Sequence, residues 1–125
     1  MGGGTKGGPA TGGFDYAAFK RAFEAQDIDA WLSFIDENAE WVKYRHDAPA
    51  ASPNRMRGKT EICAFLGRIK SDNMRLELSD EVLGRTRAAF CVTCTLPSER
   101  KIIEHVIVHL KDGRIVRQVD VEAWY

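Results

Sequence analysis

The sequence has no excess of either charge. Eighteen Lys and Arg stand against eighteen Asp and Glu, and the pI is near 6.8. A dedicated nucleic-acid binder carries a basic surplus, so nucleic acid is excluded as the expected partner. No apolar run approaches the roughly 18 residues that span a bilayer, so no membrane partner is expected either. The N-terminus has Lys6 but no apolar stretch after it. No secretory signal is read there, and the expected location is cytoplasmic. Cysteine is scarce and odd in number: Cys63, Cys91 and Cys94 cannot form a complete disulfide framework, which fits a reducing compartment. Cys91-x-x-Cys94 has the outline of a redox or zinc half-motif, but it lies within Ala88 to Thr95, which reads as a strand. Residues three apart on a strand face opposite sides. A zinc site also needs a second ligand pair at suitable spacing, and none is evident. Both cysteines are expected to fill space in the core, with no metal and no cofactor.

What is present has the composition of one globular domain. The hydrophobic fraction is 44% and the charged fraction 29% over 125 residues, enough for one core. Seven of the first thirteen residues are glycine. Such a segment buries almost nothing, so residues 1–13 are expected to be a disordered tail and residues 14–125 a single domain. No strand precedes the glycines and no Gly-Lys-Ser/Thr follows them, as a phosphate loop would require.

Three helices are predicted by apolar spacing. Tyr16, Phe19 and Phe23 mark the first; Ile28, Trp31, Leu32 and Ile35 the second, with Asp27 as its N-cap; Ile62, Phe65, Leu66 and Ile69 the third, after Gly58. A short strand, Ala39 to Arg45, lies between the second and third. Asp47 to Asn54 holds two prolines and is expected to be a surface loop, a connector or the rim of a pocket. The remainder reads as strands: Met74 to Leu83, Arg87 to Leu96, Lys101 to Leu110 and Arg114 to Trp124. Asp112-Gly113 between the last two is the strongest hairpin signal. Helices followed by a strand meander argue an α+β fold with helices on one face of a curved antiparallel sheet.

The last hairpin allows a register calculation. With a two-residue turn, Lys111 faces Arg114, Ile107 faces Gln118 and His105 faces Asp120; a three-residue bulged turn would instead separate His105 from Asp120. Directly opposed side chains share a sheet face. One face then holds His105, Ile107, Gln118, Asp120 and Glu122. The other holds Glu104, Val106, Val108, Val119 and Val121, an apolar patch expected to be covered by a second copy in a homodimer. A His beside a carboxylate in a pocket can move a proton on a bound substrate, and it can equally be a plain cross-strand ion pair.

Several segments together resemble the SnoaL-like branch of the nuclear transport factor 2-like superfamily, which includes ketosteroid isomerase and polyketide cyclases. They are Asp27 to Trp31, Asp36 to Trp41, the proline loop, Arg57 to Ile62 and Lys111 to Ile115. The resemblance implies a cone: a curved sheet wrapped around three helices, with an apolar pocket and a dimer formed through the sheet. In the cyclases an Asp follows the Asp-Gly turn and a His precedes it, both facing the pocket. Asp120 and His105 match those places and are the implied catalytic pair. The resemblance places the isomerase's base near Lys43, where this chain has no carboxylate, and its oxyanion-hole Tyr nearest Tyr16. Gln118, Tyr16, Trp31, Trp41, Lys43, Ile107 and Glu122 are the expected ligand-binding residues.

Two functions follow as alternatives. One is a cofactor-free enzyme of isomerase, cyclase or dehydratase type, acting on a small apolar molecule by Asp/His acid–base chemistry. The other is a non-catalytic module of the same fold that binds a ligand or a protein. A charged pair facing an enclosed pocket favours the enzyme, and a pocket filled by tryptophans favours the module.

Overall fold

The three helices form where the apolar spacing places them, except that the second stops at Leu32 and Ile35, expected on its stripe, begins the first strand. In a computed structural model that describes residues 13–124, α1 spans Tyr16–Ala25, α2 Ile28–Leu32 and α3 Gly58–Ser71. The expected disordered tail lies, except for Gly13, outside the described residues. Asp15 and Asp27 cap α1 and α2, accepting from Ala18 N at 3.0 Å and Ala30 N at 3.2 Å. Each cap satisfies a backbone donor that the first helical turn leaves free. At α3, the Glu61 carboxylate in the first turn reaches back and accepts from Arg57 N at 2.8 Å, satisfying the N–H of the N-cap residue. Gly58 opens that helix at φ 79°, a left-handed conformation that a Cβ disfavours.

Six strands make one sheet. They are β1 (Ile35–Tyr44), β2 (Asn54–Arg57), β3 (Arg75–Leu83), β4 (Arg87–Thr95), β5 (Lys101–Lys111) and β6 (Arg114–Trp124), in the order β2-β1-β6-β5-β4-β3. The sequence pattern does not reveal β2. Three of its four residues are polar, and only Met56 turns inward, opposite Trp41. The sheet is antiparallel with one exception: β1 runs parallel to β6. The chain leaves β1 through β2 and α3 and crosses three further strands before it returns. β6 therefore arrives beside β1 pointing the same way, as a long crossover permits and a hairpin does not.

The helices cover one face of the sheet, α1 packing on β3 and α3 on β1. Alternation on β4 and β5 decides what faces them. Ala88, Phe90, Val92 and Cys94 point inward, as do Ile102, Val106, Val108 and Leu110. Phe19, Phe23, Trp31 and Phe90 form an aromatic cluster between α1, α2 and the sheet, with the Phe23 and Trp31 rings 4.2 Å apart. Cys94 is buried while Cys91 is half-buried on the other face, and both are free thiols, as the strand spacing predicts.

The apolar patch predicted from the hairpin is corrected. Val106 and Val108 lie in the core, whereas Val121 is 55% exposed on the outer face. The four valines do not share a face. The cause is a slip in the hairpin register, which also decides the site.

Candidate active site

The turn itself forms as the sequence predicts. Asp112 and Gly113 both have positive φ, 52° and 78°, and Lys111 pairs with Arg114 and Leu110 with Ile115. This is the turn geometry that matches the twist of a hairpin. Between His109 and Leu110 the register then slips by one, so that His109 pairs with Arg117 and Val116 is the extra residue of a bulge on β6. A one-residue slip moves every later side chain of one strand relative to its partner. Beyond the bulge, Asp120 lies opposite Val106, Glu122 opposite Glu104, and His105 opposite Val121.

The predicted pair of His105 and Asp120 is therefore not formed. Asp120 is buried on the inner face, and His105 is exposed on the outer one. Ile107, expected in the pocket, is outside as well and 48% exposed. The acidic partner that β5 contributes is Glu104. A signal for it stood in the sequence: Glu104 is the one charged residue in the alternating series Ile102, Val106, Val108, Leu110.

Four ionisable side chains meet on the inner face. The Lys43 ammonium lies 2.5 Å from Glu104 Oε2, 3.4 Å from Asp120 Oδ2 and 3.8 Å from Glu122 Oε2. Parallel pairing of β1 with β6 brings Lys43 beside Asp120 and Trp41 beside Gln118. Asp120 accepts from Trp41 Nε1 at 2.8 Å and from Gln118 Nε2 at 3.0 Å. Glu122 meets His46 Nδ1 at 3.0 Å, at the start of the proline loop. Among the described residues no group of His, Cys, Asp and Glu has the arrangement to hold a metal ion. The Lys43 ammonium itself takes the position between the carboxylates that a cation would need.

Burial pushes Glu104 up from 4.5 to about 7, helped by the Asp120 charge and opposed by Lys43. Burial also raises Asp120, against the pull of Lys43 and of the Gln118 and Trp41 hydrogen bonds. Desolvation works against the Lys43 charge, but Asp120, Glu104 and Glu122 together outweigh it, so Lys43 rises and stays an ammonium. Cys94 is pushed up to about 12, first by burial and then by Glu104, and remains a neutral thiol.

This cluster borders a cavity of about 600 Å³ whose wall is mostly apolar, with Phe23, Trp31, Trp41, Phe65, Leu76 and Val92, but also includes Arg45, Arg68, Ser71 and Asp72. The volume falls within the range of about 300–1,000 Å³ usual for small-molecule sites. Lys43, Glu104 and Glu122 line it, and Asp120 does not. Glu104 is the most accessible of the three carboxylates, its side chain 11% exposed against 4% for Glu122 and 1% for Asp120. Of the residues predicted to bind ligand, Trp31, Trp41, Lys43 and Glu122 line the cavity. Gln118 is buried behind it and orients Asp120. Tyr16 is packed among Phe14, Phe19 and Phe90, away from the cavity lining, its phenol raised to about 12 chiefly by burial. The sequence reading missed Glu104, Arg45, Phe65 and Arg68 as wall residues.

A family model described as SnoaL-like domain matches residues 16–118. No curated protein matches the sequence. Among solved structures, a protein of unknown function from Mesorhizobium loti, described as NTF2-like, is 18% identical over 86% of this chain and 87% of its own, with a TM-score of 0.75. A SnoaL-like protein of unknown function from Burkholderia thailandensis is 21% identical over 86% of this chain and 89% of its own, with a TM-score of 0.62. SalBIII, an epoxide hydrolase/cyclase-like enzyme with a role in pyran ring formation in salinomycin, is 14% identical over 86% of this chain and 87% of its own, with a TM-score of 0.67.

Proposed function

The chain belongs to the SnoaL-like family, and from that premise we propose that it is a cofactor-free enzyme that moves a proton on a small, largely apolar carbonyl compound. The observation that carries the reading is a buried Lys–carboxylate cluster bordering a largely apolar cavity. Glu104 is the proposed base. It reaches the cavity, and its pKa of about 7 suits proton exchange near neutral pH. Lys43 is the proposed electrophile. Its ammonium donates two hydrogen bonds, to Glu104 and Asp120, with Glu122 at 3.8 Å, and in this scheme its remaining N–H donates to a ligand oxygen. In the proposed step the C–H bond beside the carbonyl breaks and the proton passes to Glu104. The electron pair moves to the carbonyl oxygen, held by Lys43 as an enolate. Return of the proton to the same or another carbon completes exchange or isomerisation.

Asp120 is a positioning residue in this scheme, since it acts through Lys43 and Trp41 and does not touch the cavity. The non-catalytic reading has one observation in its favour: the Lys43 ammonium itself neutralises part of the cluster.

The test uses 2-tetralone, a bicyclic ketone, in deuterated buffer. Wild-type protein is expected to accelerate exchange of its α-hydrogens, read by proton NMR. Exchange at the buffer rate, with binding still visible as quenching of tryptophan fluorescence, would leave a binding module. Neither exchange nor binding would remove both readings.

We also place a homodimer contact on the outer sheet face, around Ile107 and Val121, where large apolar side chains remain exposed. Val121→Glu is expected to sediment as a monomer at micromolar concentration where wild type sediments as a dimer. A wild-type monomer would sink the contact.

A further inference from the structure

One wall of the cavity carries a charge at its outer end. Arg68, in the last turn of α3, is exposed and lines the cavity. Its guanidinium stands 5.4 Å from the centre of the Phe65 ring. Phe65 meets Trp41 edge to face at 5.2 Å, and Trp41 Nε1 donates to Asp120 at 2.8 Å. Arg68, Phe65 and Trp41 thus form a continuous line from solvent to the buried cluster. One end is cationic, the middle is aromatic, and the far end holds the carboxylates and Lys43.

The cavity has a second arginine at its wall, Arg45, but that one is engaged. Its Nε and Nη2 reach the two carboxylate oxygens of Asp47 at 3.1 and 3.5 Å. Arg68 has no such partner: among the described residues its guanidinium takes part in no ion pair, only in the contact with Phe65. Asp72, one turn further along α3, also lines the cavity but does not pair with it. An arginine stacked on an aromatic ring keeps its outward N–H groups free, and their planar fork matches a carboxylate or sulfonate.

We infer that the ligand of this cavity is a fused or linked aromatic compound bearing an anionic group, with the anion on Arg68 and the rings against Phe65 and Trp41. The inference rests on the cavity being the ligand site, as proposed above, and adds the substrate class. A neutral ligand of the same shape would bind through the apolar wall alone. The carbonyl to be activated would then enter first, toward Lys43, with the anion left at the mouth where its hydration is partly kept. That orientation is the favourable one, because an anion driven inward would meet Glu104 and Glu122.

A matched pair of fluorescent probes tests this: 1-anilinonaphthalene-8-sulfonate, and N-phenyl-1-naphthylamine, which has the same rings without the sulfonate. Wild-type protein is expected to bind the sulfonate probe about five- to tenfold more tightly than the neutral one, with energy transfer from tryptophan placing both in the cavity. The preference should fall as salt is raised, because the arginine is exposed. Arg68→Gln should abolish the preference by weakening the sulfonate probe alone, and Arg68→Lys should restore part of it. Equal affinity for the two probes in wild type, or equal weakening of both in Arg68→Gln, overturns the inference. A protein that exchanges 2-tetralone but shows no probe preference keeps its catalytic reading and loses this one. A protein that binds neither probe loses the cavity as a ligand site, and with it this inference.

Discussion

Replacing Lys43 by Met is expected to destabilise the protein by about 3–5 kcal/mol at neutral pH, the usual cost of removing one partner from a buried charged set. Among the described residues the ammonium is the only cation within 4 Å of Glu104 and Asp120. Without it, at least two buried carboxyls must either stay protonated or stand ionised together. The pH dependence gives the test its sign. Glu104 already has a folded-state pKa of about 7 against 4.5 in the unfolded chain. A carboxyl whose pKa is raised on folding stabilises the protein fully below its unfolded value, and the contribution is lost as pH rises through the folded one. For wild type that window is pH 4.5 to about 7, and the shift corresponds to on the order of 3 kcal/mol. In Lys43→Met the carboxyl pKa values climb further, so the variant should come closest to wild type near pH 4.5 and fall increasingly below it as pH rises past 7. Urea unfolding at several pH values measures this. A loss that is the same at pH 4.5 and pH 8, or one below about 1 kcal/mol throughout, would mean that Lys43 is not what holds the cluster together.

Glu104→Gln should reduce proton exchange by about 10²- to 10⁴-fold, the range for removal of a general acid–base group. Gln preserves shape and one acceptor, so ligand affinity should change far less than rate. The wild-type rate should rise with pH through about 7 as Glu104 ionises, and the variant should lack that limb. Asp120→Asn separates direct from indirect action. Asp120 lies outside the cavity, but its charge is the second largest cause raising Glu104. Removing it should move the pH limb downward while leaving turnover above that limb largely intact. His105→Gln is expected to leave the rate unchanged, since His105 stands on the outer face. Full activity in Glu104→Gln would refute the assignment of the base, and a large loss in His105→Gln would refute the geometry on which it rests.

Much of the fold is legible in the chain. Helical spacing of Tyr16, Phe19 and Phe23, and of Ile62, Phe65, Leu66 and Ile69, locates α1 and α3 because one stripe of each must be buried. Asp27 caps α2 because its carboxylate satisfies a free backbone donor. Asp112-Gly113 makes its turn because both positions need positive φ, which these residues tolerate. Strands β3 to β6 appear through their alternation. The strand β2 does not, because a four-residue edge strand with one inward side chain leaves no periodic trace.

The site was half legible. The hairpin register points to Asp120 and Glu122 and the family resemblance to Asp120 and Lys43, with Trp41 among the expected ligand-binding residues, and all four belong to the cluster or its wall. Their partner was misassigned. Alternation within one strand is a local property, and it correctly separates Glu104 from His105. Which of these two meets Asp120 depends on the register between strands, and a bulge at Val116 resets it by one. A bulge inserts one residue without any required side chain, so no residue type announces it. The placement of Lys43 among the carboxylates likewise depends on β1 lying parallel to β6, a pairing between segments some 75 residues apart in the chain. Local propensity and periodicity thus determined every element but β2 and the alternation within each strand, because each rests on the geometry of a few consecutive residues. Tertiary structure alone decided which charges share the buried end of the cavity, because that choice rests on pairing between strands.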